Sequence, residues 1–398
     1  MSSDLTNVLI SCHCGAAKQT VTIGFESQKT AGPQDTSIDH SYDYRHNTGL
    51  LCASYAPIQV PNLLNNLVAY PEVSPDTDSV TTRHYFCSTC GCHVFRRRHT
   101  PTERESWGVA TGVIAGRVGA DGQLIETDDR DLLRVYGYTG VAETKDGGLA
   151  PFIHESVGNE LPTPGPVKGE AKGGGEDVLE AHCHCKNVQF SITRPDASSH
   201  LPRSNFPDLI TPYATSLNQE YTNPQDEKWW LRPRSKDDST LTRYLAGTCA
   251  CRSCRLISGF EIQVWAFIPR SNIFFVPPTT APSSTLNTIP LDFTTLPSGI
   301  LKSYESSPGV QREFCPRCGA TVSWHDRWRP ELIDVSIGLL DAPEGALAGN
   351  WLDWWHGRVS FEEDADNGRV GGAARWATGL IGKLAEGLRS SENRGREG

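Results

Sequence analysis

Short stretches of alternating apolar and polar residues recur along the chain, and this period of two predicts β-strands. Such stretches cover Gln19–Ile23, residues 189–192 and residues 321–324. A different period occurs in residues 376–388, where the apolar side chains fall on one face at helical spacing. The patterning therefore predicts a mainly β protein with a short C-terminal helix.

The predicted C-terminal helix has two interpretations. Its apolar face can dock on the protein or fray in solvent, which is the usual fate of such a helix. A membrane-surface or partner-binding helix is the alternative. The residues that follow, 389–398, are polar and charged, so we expect a disordered tail there.

A tandem repeat is indicated by features that occur twice in the same order. A Cys-x-Cys begins at Cys12 and again at Cys183, and Phe-Cys-x-x-Cys-Gly begins at Phe86 and again at Phe314. Residues 108–114 and 334–340 form a third pair of similar segments. Between the copies, the Pro, Gly and charge content predicts a flexible linker. The predicted domains are 5–154 and 179–370, with a linker at 155–178 and a helix with tail at 371–398.

Length and charge narrow the classes of protein to consider. A chain of 398 residues is too long for one ordinary core. Its 37 Gly, 26 Pro and ten Trp favour turn-rich, aromatic β structure. The formal net charge of −10 argues against a duplex nucleic acid as partner, since binding one needs a basic face.

The N-terminus and the cysteine content indicate a reducing compartment. Residues 1–10 lack a basic start and an apolar run, and no segment approaches the roughly 20 apolar residues of a membrane span. We expect a cytoplasmic protein, with the nucleus left open. There, the 13 cysteines are more typical of metal ligands or free thiols than of disulfides. Cys52 and Cys92, outside every motif, are predicted to be small buried hydrophobic residues.

Two sets of four cysteines have the spacing of closed zinc sites. A Cys-x-Cys on a strand and a distant Cys-x-x-Cys knuckle supply four thiolates, which saturate tetrahedral Zn²⁺. The sets are Cys12, Cys14, Cys87 and Cys90, and Cys183, Cys185, Cys315 and Cys318. Each set predicts a structural zinc, with buried free cysteines as the alternative. His13 and His184 are expected to point away from these sets.

A third set, Cys249, Cys251 and Cys254, offers three thiolates within six residues. Three protein ligands with an open fourth position are typical of catalytic zinc, which could then take a further thiolate. Arg252 and Arg255 place positive charge nearby. A second structural zinc completed by a ligand elsewhere is the alternative.

The first half lacks this third set. When Gly49 is aligned with Gly259, the three cysteines lie opposite Asp39, Ser41 and Tyr44. Ser and Tyr are poor zinc ligands, so we expect no open zinc site in the first half. A different metal bound by Asp39 with His40 or His46 is the alternative.

The three motifs of the second half, taken in order, resemble the glutathione-dependent formaldehyde-activating enzyme family, which shares its domain with centromere protein V. Residues 338–343 also look like the Gly-x-Leu-Asp-x-Pro strand end of that family. The resemblance covers most of 179–365 and, in degenerate form, 5–154. It implies a tent-like fold of stacked antiparallel β-sheets in each copy, with one structural and one catalytic zinc in a complete copy.

The resemblance also implies a function. The expected activity is that of a zinc-dependent carbon–sulfur lyase, similar to S-(hydroxymethyl)glutathione synthase, acting on a thiol adduct with glutathione as the default thiol. Cys249, Cys251 and Cys254 would hold the catalytic zinc, and the two four-cysteine sets would hold two structural zinc ions. A non-enzymatic, zinc-stabilised interaction protein is the alternative.

Two further features concern the substrate site. Residues 201–238 have no counterpart of equal length in the first half, and their Trp229–Trp230 pair predicts an ordered insertion over a site. This insertion favours a substrate other than formaldehyde itself. His325 and Asp326 are candidates for a general base only because they follow the second knuckle in sequence.

Overall fold

The computed structural model of the protein describes residues 5–24, 33–71, 81–99, 105–127, 130–154, 178–210, 223–235, 238–277 and 288–397. It confirms a mainly β architecture with several largely antiparallel sheets and a C-terminal helix. The predicted linker lies outside the described residues, apart from Val178, which begins a strand. The domain bounds therefore stay predictions.

The first half forms a sheet of ten strands. Its elements are β1 (Thr6–Ile10), β2 (Gln19–Ile23), β3 (Gln34–Asp39), α1 (Tyr42–Thr48), β4 (Ala53–Ile58), β5 (Leu67–Pro71), β6 (Thr81–Cys87), β7 (His93–His99), β8 (Ser106–Ala110), β9 (Ile114–Arg117), β10 (Leu133–Thr139) and α2 (Ala150–Ile153). The strand order is β5-β6-β7-β8-β4-β2-β1-β9, while β3 pairs with β4 and, in parallel, with β10.

The second half forms a four-stranded and an eight-stranded sheet. Its elements are β11 (Val178–His182), β12 (Gln189–Thr193), β13 (Leu231–Ser235), β14 (Asp238–Cys249), α3 (Arg252–Ser258), β15 (Gln263–Pro269), β16 (Ile273–Phe275), β17 (Ile289–Pro290), β18 (Lys302–Ser307), β19 (Val310–Phe314), β20 (Thr321–Asp326), β21 (Leu332–Ser336), β22 (Leu352–Trp354) and α4 (Gly371–Glu397). The strand orders are β11-β12-β16-β17 and β13-β14-β15-β21-β20-β19-β18, with β22 parallel to β14.

The alternating pattern explains why these segments become half-buried strands. In β2, Val21 and Ile23 are buried while the polar residues between them are more exposed. The central strand β15 is buried along its whole length, as expected for a strand covered on both faces. The strands therefore form where apolar residues can be buried on one or both faces. Cysteines of the motifs lie at the ends of several of these strands, such as Cys87 in β6 and Cys249 in β14.

The two halves contact each other through reciprocal hydrogen bonds. The N–H of Gly112 donates to the carbonyl of Gly259 at 2.9 Å, and the N–H of Gly338 donates to Gly49 at 3.2 Å. These backbones approach so closely that a Cβ on Gly112 would lie 2.4 Å from the carbonyl carbon of Gly259. Each half thus donates one hydrogen bond to a helix-ending glycine of the other half.

Helix α4 is longer than the sequence predicted and includes residues 389–397, where a disordered tail was expected. Its apolar face is buried and comprises Ala373, Trp376, Ala377, Leu380, Ile381, Leu384, Ala385 and Leu388. The helix packs against α2, β9 and β10 of the first half, so its apolar face is docked. Among the described residues, no helix is long and apolar enough to cross a membrane.

A buried carboxylate joins both halves and the segment that leads into α4. Glu261 accepts hydrogen bonds from Thr111 at 2.8 Å and from Trp376 at 3.0 Å. It also forms an ion pair with Arg369 at 2.8 Å, and the two side chains are only 1% and 0% exposed. Such a pair is costly to break, because the remaining charge stays buried.

Replacing Glu261 by alanine is therefore expected to destabilise the protein by about 3–5 kcal/mol. Urea unfolding followed by circular dichroism measures this change. Glu331→Ala is the matched control: its pair with Arg270 is 2.7 Å long but exposed, so its loss should cost about 1 kcal/mol or less. Equal effects of the two substitutions would contradict the role given to Glu261.

Candidate metal centre

The structure brings the eleven cysteines of the three predicted sets into three clusters. Within each cluster, the sulfur atoms lie within 4.8 Å of one another. The clusters are Cys12, Cys14, Cys87 and Cys90; Cys183, Cys185, Cys315 and Cys318; and Cys249, Cys251 and Cys254. Each cluster could bind a metal ion. In the described part of the chain, no other group of three or more His, Cys, Asp or Glu side chains is placed this way.

The two four-cysteine clusters have the same local construction. The sulfur atoms of Cys12 and Cys14 are 3.5 Å apart, as are those of Cys183 and Cys185. A backbone N–H five residues after the first cysteine donates to its sulfur at 3.4 Å in both clusters. A strand end followed by a tight turn thus presents two thiols side by side in each half.

The knuckles that complete these clusters each end on a glycine. The N–H of Gly319 donates to the carbonyl of Cys315 at 2.9 Å, and φ of Gly319 is +82°, a conformation that favours glycine. The opposite half packs directly on this turn, because a Cβ at Gly319 would lie 2.4 Å from the ring of Phe86. The knuckle, and with it the cluster, is therefore part of the contact between the halves.

The sulfur geometry fits a tetrahedral metal. Zinc–sulfur bonds of about 2.3 Å place the sulfur atoms of a tetrahedron about 3.8 Å apart. The closest thiols lie at 3.5 Å, far beyond the roughly 2.05 Å of a disulfide. All 13 cysteines are free thiols. Four such thiols in one place match the donor set of a structural zinc.

The three-cysteine cluster is built at the end of β14 and the start of α3. Cys249 is the last residue of β14, and Cys251 is the N-cap of α3. The N–H of Cys254 donates to the sulfur of Cys251 at 3.3 Å. Trp265 and Trp324 pack around the group. The end of β14 and the start of α3 therefore place three thiols close together, in contact with Trp265 and Trp324.

This cluster faces a large cavity, whose volume is about 1000 Å³. Ligand pockets commonly range from about 300 to 1000 Å³, so there is room for a bulky adduct. Part of the wall comes from residues 203–209 of the insertion, together with Trp229. The described residues of the insertion are thus ordered over the cluster, in agreement with the prediction.

Arg312 is a cation that contacts this cluster, and no motif in the sequence points to it. Its Nη1 donates to the sulfur of Cys254 at 3.2 Å, and its Nη2 donates to Ser253 at 3.2 Å. Its side chain is 4% exposed. Hydrogen bonds from Cys249 and Cys251 hold the pKa of Cys254 well below its ordinary value, and Arg312 lowers it further.

Arg255, which was expected to place positive charge beside the cluster, has a different role. It donates to the carbonyls of Gly112 at 2.5 Å and Asn367 at 2.7 Å. Burial lowers its pKa to about 9. Its guanidinium therefore helps to join the two halves. Arg255 directly follows Cys254, whereas Arg312 lies on β19, far away in sequence. Distance along the chain therefore does not indicate which of the two arginines contacts the thiols.

The corresponding region of the first half has the same backbone and different side chains. Strand β3 ends at Asp39, Ser41 is the N-cap of α1, and Gly49 ends that helix with φ +80°, as Gly259 ends α3 with φ +87°. The Asp39 carboxylate accepts the N–H of Ser41 at 2.9 Å. The side chains of Asp39, Ser41 and Tyr44 are not among the metal-binding clusters of the described residues.

An arginine occupies this region instead. Arg96 donates a hydrogen bond to the hydroxyl of Tyr44, and its guanidinium carbon lies 5.0 Å from the ring centre of Tyr55. The alternative metal site with His40 or His46 receives no support. The Nδ1 of His46 lies 2.7 Å from the carbonyl of His182, and neither histidine belongs to a cluster.

His13 and His184 are outside the clusters and make contacts across the halves. His13 lies 2.9 Å from the hydroxyl of Tyr304 and 3.2 Å from that of Ser253. His184 lies 2.7 Å from the hydroxyl of Tyr70. His13 lies between Cys12 and Cys14 of the first closed cluster, and Ser253 also accepts a hydrogen bond from Arg312. His13 therefore connects the first closed cluster to the helix that carries the open one.

The two candidates for a general base have other hydrogen-bond partners, and Asp326 also lines the cavity. His325 lies 3.1 Å from Glu313 and stacks on Phe293 with ring centres 3.9 Å apart. Asp326 accepts the N–H groups of Trp328 and Arg329 at 2.9 and 2.8 Å. The cavity wall also contains Asp208, whose carboxyl group accepts a hydrogen bond from Ser360.

Comparison with known families gives one match. Residues 238–356 match the family described as glutathione-dependent formaldehyde-activating enzyme. The matched segment includes the open cluster and the second knuckle, which supports the resemblance in the second half. The first half is not part of this match, so the repeat stays a prediction. No curated protein and no solved structure matches the chain.

Proposed function

We propose that this protein is a zinc-dependent carbon–sulfur lyase that acts on a thiol adduct of a carbonyl or electrophilic compound, with glutathione as the default thiol. The observation that carries the proposal is the position of Cys249, Cys251 and Cys254 in the wall of a cavity of about 1000 Å³. Three thiol ligands facing a cavity have the ligand number of a catalytic zinc site, whereas the four-thiol clusters have that of structural sites.

The donor set of the open cluster fits zinc, and Cys249, Cys251 and Cys254 would hold it. A bound zinc would supply a Lewis acid that favours the thiolate form of a substrate thiol. Three thiolates and a divalent cation carry a net charge of −1. The buried Arg312, which donates to Cys254, offsets this charge and offers a second cation to an incoming thiolate.

In this proposal the two halves of the chain have different roles. The first half, 5–154, is a degenerate copy that keeps a structural zinc and has lost the open site. The second half, 179–370, is the complete copy. The reciprocal hydrogen bonds of Gly112 with Gly259 and of Gly338 with Gly49 support this duplication. They also support a role of the first copy in stabilising the second.

Incubation of the full chain with glutathione and a panel of aldehydes tests the proposed activity. The wild type is expected to accelerate adduct formation or breakdown, followed by NMR, and Cys249→Ser is expected to remove the acceleration. Rates no higher than those of Cys249→Ser for every aldehyde would overturn the proposal. That result would favour the zinc-stabilised interaction protein.

A further inference from the structure

We propose that Asp208 transfers the proton in the carbon–sulfur bond-making and bond-breaking step. This inference rests on the proposed function and names a further residue of the same site. Asp208 lies in the insertion and outside the segment that matches the family, so the motifs give no indication of its role.

Side-chain packing and a hydrogen bond hold residues 208 and 209 against the cluster. Leu209 packs on Gly247, two residues before Cys249, and a Cβ at Gly247 would lie 2.4 Å from the Leu209 side chain. Upstream, Trp229 donates to the carbonyl of Asn205 at 2.9 Å. The absence of a side chain at Gly247 therefore lets the insertion dock on the end of β14.

The Asp208 carboxyl group has a serine hydroxyl as its partner. It accepts a hydrogen bond from the hydroxyl of Ser360. The backbone of Ser360 is fixed beside the cluster, because its N–H donates to Thr248 at 3.0 Å and its carbonyl accepts from Ala250 at 2.8 Å. These two residues flank Cys249. Ser360 therefore links the carboxyl group of Asp208 to the strand end that carries Cys249.

The half-buried Asp208 differs in its partner from Asp334, a buried carboxyl group in the same cavity wall. Asp334 forms an ion pair with Arg329 at 2.7 Å, so it is committed to a guanidinium. Asp208 has a neutral hydroxyl as its hydrogen-bond partner, while Arg358 binds Glu363 at 3.0 Å. A carboxyl group paired with a hydroxyl can exchange a proton with a ligand more readily than one that is neutralised by an arginine.

The chemistry balances with this group alone as the proton carrier. In breakdown of a thiohemiacetal, the carboxylate accepts the hydroxyl proton, and the O–H electron pair forms the C=O bond. The C–S electron pair leaves with sulfur as a thiolate, on the side of the cavity where Arg312 lies. In the reverse direction, thiolate sulfur bonds to the carbonyl carbon, and the resulting alkoxide takes its proton from the carboxyl group.

Asp208 can act as a base in breakdown of the adduct and as an acid in its formation. Burial raises the pKa of Asp208 to about 6, and Cys254 raises it while Arg358 and Arg329 lower it. Asp334, whose pKa burial raises to about 7, lies close enough to interact with it. A base must be ionised, so breakdown is expected to accelerate as pH rises through about 6. Because a neutral thiol and a carbonyl compound combine with no net uptake or release of a proton, kcat/KM for addition is expected to follow the same pH dependence.

The test uses Asp208→Asn in the full zinc-loaded chain, with the aldehyde and glutathione pair that the wild type turns over. We expect kcat to fall by roughly 10²- to 10³-fold, the change in rate near pH 6 to disappear, and KM to change little. Zinc content and melting temperature should remain those of the wild type. Asp208→Glu should restore part of kcat. Glu227→Gln, an exposed carboxylate of the same insertion that does not line the cavity, is the control.

The other outcomes distinguish failure of the proposed function from failure of the role of Asp208 alone. If the wild type turns over no adduct, the proposed function fails, and the role of Asp208 fails with it. If the wild type is active and Asp208→Asn keeps its kcat and pH profile, only the role of Asp208 is overturned. Loss of zinc or of folding in Asp208→Asn, together with an unchanged kcat and pH profile in Ser360→Ala, would make Asp208 structural and would also overturn the inference.

Discussion

Replacing Cys318 by serine is expected to unfold the second half of the protein. Cys318 is fully buried in a closed four-thiol cluster whose knuckle also contacts the first half. Structural zinc contributes about 10–16 kcal/mol in small zinc domains, while a whole domain is stable by only about 5–15 kcal/mol. Weakening the metal site therefore removes most of the stability. Thermal melts by circular dichroism, with zinc content measured in parallel, check this result.

A matched control separates metal loss from the loss of a buried thiol. Cys52 is also buried, at 1% exposure, but it belongs to no cluster. Cys52→Ala is expected to cost no more than about 2 kcal/mol and to leave the zinc content unchanged. A Cys318→Ser protein that melts like the wild type would contradict a structural role of this cluster.

Replacing Cys254 by serine is expected to have the opposite combination of effects. The cluster of Cys249, Cys251 and Cys254 faces a cavity, and hydrogen bonds made by other residues, such as Thr111 with Glu261, join the halves, so its metal is not needed to hold them together. The protein should lose one zinc, keep its fold and lose turnover by roughly 10³-fold, since metal catalysis supplies several kcal/mol. Zinc analysis, a melt and the aldehyde assay measure the three effects.

The first half offers a control for substitutions within this cluster. Ser41 has the same position at the start of α1 as Cys251 has at the start of α3. Ser41→Ala is expected to leave zinc content and turnover unchanged. If Cys254→Ser unfolds the protein as completely as Cys318→Ser does, the open cluster is structural as well, and the proposed site is wrong.

Much of the fold and of the metal clusters follows from short-range sequence signals. The alternation in β2 predicts a half-buried strand, and Cys-x-x-Cys-Gly predicts a knuckle, because few backbone geometries satisfy either pattern. Cys183 and Cys318 are far apart in sequence, yet the requirement for four ligands pairs their motifs. The same reasoning, applied with Gly49 and Gly259, identifies α1 and α3 as corresponding helices.

The remaining features depend on long-range packing that no local pattern encodes. Arg255 looked like a neighbour of the thiols because it follows Cys254, but its side chain faces the first half. Arg312 and Asp208 approach the cluster from β19 and from the insertion, and only the folded chain shows this. The linker, the domain bounds and the cytoplasmic location stay predictions.

The most direct measurement of the account is the zinc content of the native chain before and after mild chelation, with the fold followed by circular dichroism. Three zinc ions per chain are predicted at the start. Chelation should then remove the zinc held by Cys249, Cys251 and Cys254 and leave two zinc ions in a native fold. A starting content of two, or a third zinc whose removal unfolds the chain, would contradict the account.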